Sequence, residues 1–128
     1  MTTLAEQFVD SWNIHNRILF YLLDAIPEQA LAGVSSSGGR SVGQMFAHIH
    51  NIRLTWLEVS APKLMSGLAK IPARKKDEFT REQLRSALEA SGNAFASMFA
   101  EGFETGKIKE AKPHPAAFYS YFVGHEWY

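Results

Sequence analysis

The chain has 128 residues, with thirteen basic against thirteen acidic side chains, five histidines and no cysteine. That length suits one core. A net charge near zero gives no general drive toward nucleic acid or anionic membrane, and the lack of cysteine excludes disulfides, thiolate metal sites and a protein-borne cysteine nucleophile. With 46% hydrophobic residues and nine Phe, the chain has ample apolar material to bury, so disorder is not expected. The opening Met1-Thr2-Thr3-Leu4-Ala5-Glu6 has no basic start and no continuous apolar run, so it is not read as a signal peptide. No apolar stretch approaches the roughly 18 residues of a membrane span. These features are compatible with a reducing cytoplasm.

Four helical segments are predicted. The first runs from about Leu4 to Ile26, opened by a capping box of Thr3 and Glu6 and closed by Pro27. Leu4, Phe8, Trp12, Leu19, Leu22 and Leu23 recur along it at helical spacing. Residues Glu28 to Arg40 form a connector with Gly33, three serines and Gly38-Gly39. A second box, Ser41 with Gln44, opens the second helix, whose apolar band is Val42, Met45, Ile49, Ile52, Trp56 and Val59 before Pro62 stops it. Ala61 to Phe79 is a long connection, with a short helical turn expected over Leu64 to Ala69. Its basic run Lys70 to Lys76 has no interleaved aromatics and is read as a solvated loop. Thr80 and Gln83 start the third helix, marked by Leu84, Leu88, Phe95 and Phe99 and expected to end near Gly102. Pro115 is placed to be the first residue of the fourth. Phe118, Tyr121, Phe122 and His125 share a face there, and the face is expected to be the core one. The fourth segment stops at Glu126-Trp127-Tyr128, shorter than the others and without a stop signal, so the chain is expected to end inside that helix.

Imidazole is the common ligand for zinc, nickel, copper and iron, so each histidine is a ligand candidate to be set against a plain structural role. His114, between two prolines, reads as a loop residue beside a helix start. His15 lies on the core face of the first helix, where a hydrogen bond to another helix is the simplest role. About 200° of helix rotation separates His48 from His50, and the periodicity does not choose between them. His125 opens a His-Glu-Trp-Tyr sequence, in which a His at the next position would complete H-E-x-x-H.

Trp12-Asn13-x-x-Asn16-Arg17-Ile18-Leu19, the stretch Arg40-Ser41-Val42-Gly43-Gln44-Met45-Phe46-Ala47-His48-Ile49 with Arg53 and Trp56 following, and His125-Glu126 together resemble the DinB/YfiT-like family of metal-dependent proteins. The resemblance covers nearly the whole chain. It implies one all-α domain over residues 1–128, a four-helix bundle with a long crossover between helices two and three, in a bacterial cytoplasmic protein that forms a homodimer. It also implies a three-histidine site for a divalent metal, zinc or nickel. Carried over residue by residue, His48 is the first ligand and His125 the second, while the third falls one position past Tyr128, so the site is expected to be incomplete in this chain. His15, Asn16 and Glu126 are candidates for supporting the ligands or handling protons. The implied function is a metal-dependent S-transferase that joins a low-molecular-weight thiol, such as bacillithiol or mycothiol, to an electrophile, with neither nucleic acid nor membrane as partner. Two other readings are a non-catalytic dimeric module, assembled through Phe103, Trp127 and Tyr128, and a zincin-like hydrolase with Glu126 as base.

Overall fold

The computed structural model of the protein describes residues 2–72 and 78–128. Most of the basic run at residues 70–76 lies outside them. Four α-helices follow in order: α1 (Leu4–Ala25), α2 (Val42–Ser60), α3 (Arg81–Thr105) and α4 (Pro115–Trp127). The only non-helical pairing among the described residues is one isolated bridge between Val34 and Ser41. No helix in them is long and apolar enough to cross a membrane.

Local chemistry sets most of the boundaries. Thr3 Oγ accepts the Glu6 N–H at 3.1 Å while the Glu6 carboxylate accepts the Thr3 N–H at 2.7 Å. Ser41 and Gln44 make the same reciprocal pair at 3.2 and 2.8 Å. At α3 the Thr80 hydroxyl accepts the Gln83 N–H at 3.2 Å, which caps the first turn. His114 caps α4, its Nδ1 accepting the Ala117 N–H at 3.1 Å. Gly102 does not end α3. It lies against Ile108, where a Cβ would overlap the side chain, and the helix runs on to Gly106, which closes it at φ 80° with its N–H on the Gly102 carbonyl. The turn expected over Leu64 to Ala69 forms earlier, as a 3-10 turn at Pro62–Met65.

Helix α3 packs against α1, α2 and α4, and so forms the spine of the bundle. Two apolar clusters are stacked along it. One contains Trp12, Leu54, Leu57, Phe95, Phe99, Phe118 and Phe122, the other Leu19, Leu23, Phe46, Leu84 and Leu88. Between them in sequence on the first three helices sit buried polar residues, His15 and Asn16 on α1, His50 and Arg53 on α2 and Ser91 on α3, and the buried Glu126 side chain follows the first cluster's residues on α4. None of the buried residues of the second cluster comes from α4.

Two helix faces differ from expectation. On α2 the buried positions are Phe46, Ala47, His50, Arg53, Leu54 and Leu57, so the helix is rotated away from the predicted band, and Met45 and Val59 are exposed. The cause is Arg53, which enters the interior because partners on three other helices satisfy it. On α4 the buried row is Phe118, Tyr119, Phe122 and the Glu126 side chain, and Tyr121 and His125 stack face to face on the opposite, exposed side. His125 therefore does not point into the core. The i, i+4 row from Phe118 through Phe122 ends on Glu126, and Arg53 draws that row inward. Of the first-helix stripe, Leu4 is exposed and Leu22 half-exposed. Phe103 stacks on Phe8 with ring centroids 4.3 Å apart, which takes it out of the exposed aromatic set.

The long crossover is held to α2 by polar clips. Asn51 donates from Nδ2 to the Ile71 carbonyl at 2.9 Å and accepts the Ile71 N–H at 2.8 Å. His50 donates from Nε2 to the Ala69 carbonyl at 2.9 Å.

Candidate functional site

Helix α2 presents His48 and His50 on different sides, and the structure separates their roles. His50 is 2% exposed and bound to the crossover. Burial pushes its pKa below the ordinary 6.5, against the opposing pull of the backbone carbonyls it faces. It is a structural residue. His48 is half-buried and lines a cavity of about 520 Å³ together with His125. The two rings are close enough that His125 helps lower the His48 pKa, after burial and the Arg40 charge. Among the described residues neither ring makes a hydrogen bond, so their nitrogens are available to a ligand. Neutral imidazole is the form that binds a metal.

The residues expected to support this pair form one network behind it. Arg53, 0% exposed, donates from Nε to Glu126 Oε2 at 2.8 Å and from Nη2 to Glu126 Oε1 at 2.9 Å. Its Nη1 reaches the Leu88 carbonyl at 3.0 Å and Ser91 Oγ at 3.3 Å, and Nη2 also reaches Asn16 Oδ1 at 2.9 Å. All five guanidinium donors are used. The Trp12 ring lies 4.9 Å beneath the guanidinium carbon and is itself tied to α3 by its indole N–H on the Gly92 carbonyl at 2.8 Å. His15 donates from Nε2 to Glu126 Oε1 at 2.7 Å, and its ring meets Trp127 edge-on with centroids 5.0 Å apart.

Burial alone would raise the Glu126 pKa. The charge and hydrogen bonds of Arg53, with those of His15, outweigh it and hold the carboxyl below the ordinary 4.5. A side chain 4% exposed, ionised and engaged by three N–H donors is a poor proton acceptor, which removes the chemical basis of the zincin-like reading. Glu126 instead fixes the rotation of α4, and with it the side on which the neighbouring His125 emerges. Asn16 and His15 join the same network, Asn16 through Arg53 and His15 through Glu126. Sequence reasoning missed Arg53 as the centre of this network. Its signal was a charged residue at the spacing of Phe46, His50 and Leu57, and that spacing becomes meaningful only once a buried partner is known.

The cavity offers two imidazole donors, one fewer than a three-histidine set. Two imidazoles from separate helices face one cavity. No group of three or more His, Asp or Glu side chains able to hold a metal occurs among the described residues. The rest of the cavity wall is mainly apolar, from Leu19, Leu22, Ile26, Val42, Met45 and Ile49, and Arg40, Trp127 and Tyr128 line it as well.

A protein-family model described as the DinB family matches residues 1–128. No match was found among curated proteins, and none among solved structures.

Proposed function

From its membership of the DinB family, to which this chain belongs over residues 1–128, we propose that the cavity between α1, α2 and the end of α4 is a divalent-metal site serving a thiol S-transferase. The observation that carries this reading is the pairing of His48 and His125, from two helices, on one cavity with unbonded ring nitrogens. Both would hold the ion, zinc or nickel, with a third imidazole at the position after Tyr128 in the family pattern. When bound, the metal would supply a Lewis acid that lowers the pKa of a thiol.

The chain's own residues do the remaining work. Leu19, Leu22, Ile49 and Ile52 give the cavity an apolar wall, from which a bound substrate would displace water. The Arg53–Glu126–His15 network keeps His125 in register with His48. The sulfur nucleophile comes from a low-molecular-weight thiol, since the chain has no cysteine. Its sulfur forms a bond to an electrophilic carbon, the leaving group departs with the bonding pair, and the thiol proton goes to solvent.

The test is metal uptake by the 128-residue protein and by a version carrying one added His after Tyr128. The added imidazole should raise uptake to one ion per chain, and His48→Ala or His125→Ala should each abolish it. Stoichiometric uptake surviving both substitutions sinks the proposal. Conjugation of bacillithiol or mycothiol to a generic electrophile then separates enzyme from binding module.

A second reading, a non-catalytic homodimeric module, is favoured by Ile14, Ile18 and Tyr21, which stand exposed one turn apart along α1. Sedimentation of the protein with and without Ile18→Lys tests that assembly.

A further inference from the structure

The cavity beside His48 carries a second chemical signature besides its imidazoles. Its volume of about 520 Å³ falls within the roughly 300–1,000 Å³ of small-molecule sites. Leu22 and Met45 face it from α1 and α2, 47% and 48% exposed, and neither belongs to a core cluster. The stripe of α2 that sequence periodicity marks as core-facing, Val42, Met45, Ile49 and Ile52, is thus the wall of this cavity. Apolar walls left wet gain from an apolar occupant.

The side-chain charge on the wall is one-sided. Among the described residues, Glu126 is the only acidic side chain lining the cavity, and Arg53 and His15 occupy its oxygens. Arg40 lines the cavity as well, and no carboxylate among the described residues pairs with it. A guanidinium beside an apolar chamber matches a carboxylate or similar oxyanion attached to an apolar body.

We propose that this cavity binds a small organic monoanion, with its apolar body between Leu22 and Met45 and its anionic head on Arg40. A body on the order of eight to ten carbons suits the space. The inference rests on the reading of this cavity as the reaction chamber and names the class of electrophile admitted there, one that carries an acid group. It does not require the metal to be bound.

Calorimetric titration of the 128-residue protein in EDTA, with octanoate, 1-octanol and octylammonium, tests it. Octanoate binds tightest, and from hexanoate to decanoate each methylene tightens binding by about two- to four-fold. Arg40→Ala weakens octanoate by about three- to ten-fold, as for a partly solvated ion pair, and leaves octanol unchanged, while Arg40→Lys restores most of the loss. Arg40 is exposed, so these variants keep the fold. Equal binding of octanol and octanoate, preference for octylammonium, or indifference to Arg40→Ala overturns the proposal. Titration in EDTA reads octanoate binding with no metal present. A protein that takes octanoate but never metal therefore sinks the thiol-transfer reading alone, and the reverse result sinks this one.

Discussion

Glu126 and Arg53 join residues 73 positions apart, and their pairing decides which way two helices face. Removing one partner of a buried pair costs more than removing both, because the survivor is left charged and unpaired. Glu126→Ala is therefore expected to destabilise the fold by about 3–5 kcal/mol in urea titration. The double variant Arg53→Met with Glu126→Met should cost clearly less, and equal losses would contradict the pairing argument. The same residues set an acid limit. His50 and Glu126 both have folded-state pKa values below their ordinary 6.5 and 4.5. In each case the unfolded chain binds the proton first, so stability present above the ordinary value is lost as pH falls toward the folded one. Stability should thus decline in two stages, beginning below 6.5 and again below 4.5. His50→Gln, which retains a donor for the Ala69 carbonyl, should flatten the upper stage to the smaller contribution of half-exposed His48. An unchanged slope there would show that another group carries it.

At the scale of elements, close approach of α1 to α3 depends on Gly92. A Cβ there would overlap the buried Asn16 carboxamide, which is held by Arg53. Alanine in a helix interior gains about 0.5–1 kcal/mol over glycine from backbone entropy, whereas forcing a packed interface apart costs about 1–3 kcal/mol. Sterics win at this position, so Gly92→Ala should lower thermal stability. At Gly124 on α4 a Cβ would meet nothing within 4 Å, so Gly124→Ala should raise it. If both variants shift the melting temperature in the same direction, the contact at Gly92 is not the constraint described here. The helices themselves were legible in the sequence, because caps such as Thr3 with Glu6 and Ser41 with Gln44 act within one turn. The orientation of α2 was not. Val42, Met45 and Ile49 make as good an apolar stripe as Phe46, Leu54 and Leu57, and no local interaction ranks one above the other.

For the whole molecule, the layer of His15, Asn16, Arg53, Ser91 and Glu126 divides the interior into two apolar clusters, and the cavity opens beside the one that α4 does not enter. The sequence by itself determined the four helices, the all-α class and the family, since each rests on short-range caps, periodicity and a contiguous motif around His48. Periodicity left His48 and His50 open and the family resemblance named His48, while only the tertiary structure set His48 and His125 on one cavity wall and His125 on the exposed side of α4. Burying a charge requires a partner. The partners of Arg53 and His50 come from other helices and the crossover, and they exist only once the chain has folded.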